Sequence, residues 1–346
     1  MIPDALRKAF ESQARGCPRL GSPFMGQLMQ LFAMRDWPAG DLRDRAFAWT
    51  GDVSAMGDSV PLRFAGALHA LKLQGSADLA KVYPPNTVSD DALWAVVSGV
   101  LVSEATFIDA FINNPPQTNE VRRAAVLIAT GHWLTARYAR PISLLELGAS
   151  AGLNLMWDQF SMDLGGVTFG PADPALTLRP DWTGPLPPAT RPTIAQRRGV
   201  DLNPLDPRKD DLRLRAYLWP DQPERMALTE AAMAFHAATI DKDDAIAWLA
   251  NNIAPKHGQL RLIYNTIAWQ YFPEDVQAKG TRLIETAGAA ATDQTPLAWF
   301  GMEADDVNDG AGLTLRLWPG DVTVHLGRVD FHGRWVKWTA PDPNAV

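Results

Sequence analysis

One segment constrains this chain more than any other. Leu144-Leu145-Glu146-Leu147-Gly148-Ala149-Ser150-Ala151-Gly152-Leu153-Asn154-Leu155 carries an apolar strand into a turn of small residues and out into a helical pattern. Small residues let backbone approach a ligand closely, and a helix N-terminus offers free N–H groups. A dinucleotide site would require G-x-G-x-x-G. That spacing fails here, because the glycines are Gly148 and Gly152 with Ser150 between them. A phosphate loop fails too, since no Gly-Lys-Ser/Thr follows.

The surroundings of the turn set the fold class. A length of 346 residues gives a prior of about two domains. With 47% hydrophobic and 21% charged residues, the chain has the means to build ordinary globular cores. The first 115 or so residues read as helices. Pro61 opens a segment with Phe64, Leu68 and Leu71 at helical spacing, and Gly75 ends it. Asp90-Asp91 open a longer one, with Val97, Leu101, Ile108 and Phe111 on one face, and Asn113-Asn114-Pro115-Pro116 stop it. Glu104 falls on that apolar face, either at its edge in water or aimed into a cleft. Asn119 is placed to cap the next helix, which runs to about Tyr138.

From Ile142 the texture changes. Strand-like runs at 142–147, 199–202, 214–218, 260–265 and 297–302 alternate with helical patterns at 224–240, 243–253 and 274–290. Such alternation predicts a mostly parallel sheet with helices on both faces. In the tail, 313–318 and 322–326 flank Pro319-Gly320-Asp321 and read as an antiparallel hairpin that leaves one strand antiparallel. The Gly/Pro-rich stretch 165–192 reads as an insertion. The expected domains are therefore a helical one over 1–116 and an α/β one over 117–346.

Two further chemistries use a turn like 148–152. Gly148-Ala149-Ser150-Ala151-Gly152 fits the nucleophile elbow G-x-S-x-G, with Asp305 and then His325 or His332 in the order a serine hydrolase needs. Against it, the preceding 140 residues read as helical, whereas that fold places strands before its elbow. The other is the turn of S-adenosylmethionine (SAM) enzymes, E-x-G-x-G-x-G, where Glu146, Gly148 and Gly152 match and Ser150 replaces the middle glycine. A carboxylate at Glu146 can accept hydrogen bonds from the turn and attract the cationic amino group of SAM. Gly199-Val200-Asp201-Leu202-Asn203-Pro204 reads as the end of the next strand. There an acid offers two acceptors to a ribose diol. The gap from turn to Asp201 is about 50 residues, against about 20 in the related dinucleotide fold, and the insertion accounts for the excess.

Gln117-Thr118-Asn119-Glu120, the turn from Leu145 to Leu155, Arg198-Gly199-Val200-Asp201 with Pro204-Leu205-Asp206, and Trp219-Pro220-Asp221-Gln222 together resemble a bacterial family of unknown function. That family is similar to the SAM-dependent methyltransferases, and the resemblance extends over nearly the whole chain. It implies a Rossmann-like methyltransferase fold with a mostly parallel seven-stranded sheet behind an N-terminal helical domain. It also implies SAM as cofactor, held by Glu146, Gly148, Ala149, Ser150, Gly152, Asn154, Asp201, Leu202, Asp221 and Asn265. Asp221 stands where the superfamily often meets the adenine amino group. Ligands bind outside the carboxyl ends of parallel strands, so Tyr264, Asn265, Trp269 and Tyr271 should line the cleft. Tyr264 and Tyr271 are the candidate catalytic groups; Glu104, Asn119 and Trp269 are candidate substrate contacts.

Composition narrows the partners. Lys plus Arg is 32 and Asp plus Glu is 39, a net charge of −7, so nucleic acid is not favoured. The single cysteine, Cys17, excludes an intrachain disulfide and a cysteine-based zinc site. The six histidines show no metal spacing, and no metal is expected. No stretch approaches the ~18 apolar residues of a membrane span, and Met1 to Phe10 has no signal-peptide core. The expectation is a cytoplasmic enzyme acting on a small molecule, with SAM methyl transfer ahead of a serine hydrolase or a non-catalytic SAM-fold binding protein.

Overall fold

A computed structural model describes residues 1–307 and 309–346. The chain divides by packing into two units, Met1–Thr118 with Asp210–Ala227, and Asn119–Lys209 with Leu228–Val346. The segment 210–227, read above as part of the α/β domain, packs with the helical unit.

The first unit is helical. Its core is aromatic: Phe32 stacks on Phe10 at 5.1 Å and meets the edge of Trp37 at 4.9 Å. Helix Val60–Leu73 starts with Pro61 in its first turn. The long helix expected from Asp90 is two, Asp90–Ser103 and Ala105–Phe111, bent by 84° at Glu104, whose side chain is exposed. No single helix among the described residues is long and apolar enough to cross a membrane.

The expected strand at 214–218 is instead helix Asp211–Ala216. Its alternation of Leu and Arg mimics a strand, but Asp211 and Arg215 pair at 2.6 Å one helical turn apart. The ring of Tyr217 lies where a Cβ on Gly66 would sit, so Gly66 lets this segment dock on helix Val60–Leu73. Tertiary packing overrides the period-2 pattern.

The second unit is built on a nine-stranded sheet where seven strands were expected. We label β1 (Ile142–Leu147), β2 (Ile194–Asp201), β3 (Thr239–Lys242), β4 (Leu260–Thr266), β5 (Leu297–Glu303), β6 (Ala311–Trp318), β7 (Val322–Val329) and β8 (Trp335–Trp338). Asp181–Thr183, from the insertion, adds a ninth strand. The order is β3-β2-β1-β4-β5-β6-β7-β8 followed by 181–183. Neighbours from β3 to β5 are parallel, and β5 to β8 form an antiparallel meander. Not one but three strands, β6, β8 and 181–183, therefore run against the parallel set. The third parallel strand is Thr239–Lys242, where a helix had been expected to end; the β-branched pair Thr239-Ile240 suits it.

The buried strand β1 explains its unbroken apolar run. Leu145 and Leu147 pack with Val200, Trp248, Leu249 and Ile284, so helices Ala245–Asn252 and Glu274–Ala289 cover one face. On the other face Glu146 lies beside Gly199 of β2 and Tyr264 of β4. The chain leaves β1 toward β2 and β3, then returns to β4 and β5 on the other side. A crevice is expected where strand order reverses, outside the strand ends.

Candidate functional site

The turn after β1 is held by the neighbouring strand. Gly148 N and Ala149 N both donate to Val200 O at 3.0 Å. Gly148, Ser150 and Gly152 have φ of 71°, 52° and 71°, the left-handed region that glycine enters without cost. Ser150 thus keeps the conformation of the glycine it replaces. A Cβ on Gly148 would lie 2.6 Å from Ala268 Cβ, and one on Gly152 would lie 2.3 Å from Ile240 Cδ1. The expected α-helix after the turn is a 3₁₀ helix, Leu153–Gln159.

Register fixes the two acids. Glu146 is opposite Gly199, and Asp201 follows two residues later, so both side chains leave the same face of the sheet. Asp201 Oδ2 accepts from Ser150 N at 2.8 Å and Oδ1 accepts from Asn203 N at 2.8 Å. Glu146 is 2% exposed. Burial, reinforced by the negative charge of Asp201, pushes its carboxyl well above the ordinary range, while the Tyr264 hydroxyl opposes the shift.

Tyr264 is 0% exposed and its hydroxyl sits 3.3 Å from Glu146 Oε2 and 3.4 Å from Asn154 O. Burial and the Glu146 charge raise its pKa. It braces the acid and does not reach a cleft. Asn119 does not cap a helix as expected; its Oδ1 accepts from Leu153 N at 2.8 Å, while the side chain of Glu120 accepts from Arg122 N at 3.2 Å. Asn154 Nδ2 donates to Glu120 O at 3.2 Å.

Beside the turn lies a recess of about 390 Å³, walled by Leu205, Asp206, Arg208, His236 and Ile240 among others. Leu205 N donates to Ser150 O at 3.3 Å, and the side chains nearest a Cβ on Gly152 are Ile240 and His236, so the recess adjoins the turn. Burial holds the His236 ring below the ordinary histidine value. Ser150 Oγ and Asn154 Oδ1 are buried with no hydrogen-bond partner among the described residues. Buried polar atoms are rarely left so, and a ligand would satisfy them.

Other expected site residues lie elsewhere. Asp221 belongs to the helical unit, where it accepts from Ser22 Oγ at 2.5 Å and from Phe24 N at 3.0 Å, anchoring the start of helix Pro23–Met34. Asn265 is committed: it donates to Glu303 Oε1 at 2.8 Å and accepts from Trp299 Nε1 at 2.9 Å. Glu303 Oε1 also accepts from Ala268 N and Trp269 N at 3.0 Å each, locking the loop after β4. Trp269 packs on Trp299 and Phe272 at 5.1 and 5.4 Å. Tyr271 is 52% exposed and Leu202 is 71% exposed. For the hydrolase geometry, Asp305 is bound by Arg328 at 2.7 and 2.9 Å, and His325 lies on β7, four strands from β1. That places His325 on the order of 20 Å from Ser150 across the sheet, too far to serve it as a base.

His236 and Glu303 were missed by reasoning from sequence. His236 ends a helix and had no motif around it; Glu303 had a signal, an acid at the carboxyl end of a parallel strand.

Comparison with protein families gives a match over nearly the whole chain. The model of a family described as "uncharacterized protein conserved in bacteria", DUF2332, matches residues 7–338. The chain belongs to this family. No curated protein and no solved structure matches it. Membership spans both units and carries no activity with it.

Proposed function

We propose that this chain binds S-adenosylmethionine at the turn after β1 and transfers its methyl group to a small molecule. One observation carries the reading: Glu146 and Asp201 leave neighbouring parallel strands on one face of the sheet, and the turn that follows Glu146 is tied to Asp201 through the N–H of Ser150. The central strand order β3-β2-β1-β4-β5, reversing at β1, supports a Rossmann-like methyltransferase fold.

The residues fit the group. Glycine at 148 and 152 lets the turn take left-handed backbone hard against Ala268 and Ile240, and Ser150 Oγ and Asn154 Oδ1 have no hydrogen-bond partner among the described residues. Asp201 would hold the ribose diol, Glu146 would face the amino group, and the recess at His236 would take the apolar part of the nucleoside. Bound SAM supplies an electrophilic methyl on a cationic sulfur leaving group. The protein's tasks are then alignment and exclusion of water, with no strong nucleophile of its own required. Burial raises the pKa of the Glu146 carboxyl, and an approaching cation would favour its ionised form.

Mass spectrometry of the protein as purified, under native and denaturing conditions, tests this. The expected result is a non-covalent adduct with the mass of SAM or its demethylated product. A nucleotide or dinucleotide mass in that position would overturn it.

A further inference from the structure

The insertion builds a second cavity that the proposed SAM chemistry does not use. Helix Ala124–Tyr138, the 3₁₀ helix Leu153–Gln159 and the loops at 168–172 and 190–192 enclose about 440 Å³. Such a volume falls in the range of small-molecule pockets, roughly 300–1,000 Å³.

Its wall is more apolar than polar and backed by packed side chains. Ile128, Phe160 and Trp157 are buried, and a Cβ on Gly131 would lie 2.2 Å from the Trp157 ring, so glycine at 131 lets the indole seat against the helix. His132 is fixed: Thr190 Oγ1 sits 3.2 Å from its Nδ1 and donates to its carbonyl at 2.9 Å, and Phe169 meets its ring edge-on at 5.1 Å. Burial takes its pKa down to about 4, leaving the ring neutral. Asp158 is neutralised by Arg197 at 2.7 and 2.8 Å.

Two polar groups of the lining residues lack partners among the described residues. The Trp157 indole N–H is buried with no acceptor among the described residues. Arg191, exposed at the rim, has no ion pair or hydrogen bond from its side chain among them either. A half-open cavity, more apolar than polar, with an exposed cation in its lining suits a particular ligand class. We propose that this cavity binds a small organic anion, a flat apolar body ending in a carboxylate or similar group held by Arg191. The site stands on its own observations and does not depend on SAM binding.

Titration calorimetry of the full chain with naphthoate, and with uncharged naphthalenemethanol as control, tests it. Naphthoate should bind one to one. Arg191→Ala should weaken it by about tenfold, the loss of one charge-assisted hydrogen bond, with Arg191→Lys recovering part. Ala172→Trp, at an exposed lining position, should abolish it. Both substitutions sit on the surface, and an unchanged melting temperature shows the fold intact. Absence of saturable naphthoate binding, indifference to both variants, or equal binding of naphthalenemethanol would overturn the proposal.

Discussion

The ends of two adjacent strand pairs in the second unit have opposite characters. Outside β4 and β5, Asn265, Glu303, Trp299 and the N–H groups of Ala268 and Trp269 satisfy one another. Outside β1 and β2, Ser150 Oγ and Asn154 Oδ1 are buried without a hydrogen-bond partner among the described residues, and a recess adjoins the turn at His236 and Ile240. One is a closed lock; the other keeps buried polar atoms without partners among the described residues. A fold keeps unsatisfied polar atoms where a ligand completes them, because each costs about 1–3 kcal/mol otherwise.

Substitutions at the two ends should separate stability from binding. Glu303→Ala removes the acceptor shared by Asn265, Ala268 and Trp269, and should cost about 3 kcal/mol in urea unfolding. At temperatures where the variant stays folded, SAM affinity should change by less than about twofold. A large affinity loss would mean that the lock is part of the site. Gly152→Val forces a β-branched residue to φ +71° and fills the wall at Ile240. It should cost about 2 kcal/mol and lower SAM affinity by about tenfold or more, read by melting and calorimetry together.

The pH dependence of stability follows from Glu146. Burial raises its pKa in the folded state, while the unfolded chain has an ordinary carboxyl. Above the ordinary value the unfolded state loses this proton and the folded state retains it, so stability falls as pH rises toward the folded pKa. The slope from this group is at most about 1.4 kcal/mol per pH unit. Glu146→Gln should flatten that decline in urea melts taken from acid to mildly alkaline pH; an identical slope in the variant would show that Glu146 is ionised in the fold.

The smallest effect is expected at Ser150. Glycine there relieves a left-handed side chain but loosens the unfolded chain, so Ser150→Gly should change stability by only about 0.5 kcal/mol. SAM affinity should persist. Loss of binding would make the hydroxyl, rather than the backbone, the recognition element.

Much of this arrangement is legible in the residues themselves. The strand 142–147 and the turn at Gly148 and Gly152 stand out because a buried parallel strand is continuously apolar and left-handed backbone selects glycine. Asp201 follows from the same logic. The failures share a cause: distant packing. Leu214 to Leu218 alternates like a strand, yet it docks as a helix on Gly66 and takes Asp221 with it into the helical unit. Tyr264 and Asn265 end a parallel strand as predicted, but Glu146 and Glu303 occupy them, partners 118 and 38 residues away that no local pattern announces. The tail adds strands beyond the expected seven because its meander continues past the hairpin and recruits 181–183 from the insertion.

The claim at the centre is that Asp201 and the turn together grip a nucleoside. Titration calorimetry of SAM and its demethylated product into wild-type protein and Asp201→Asn tests it most directly. Asparagine keeps the size and one acceptor oxygen, so the account predicts one-to-one binding to wild type and a loss of roughly 10- to 100-fold in the variant, with the fold retained. Equal affinity in both proteins, or no binding to wild type after any co-purified ligand has been stripped, would contradict it.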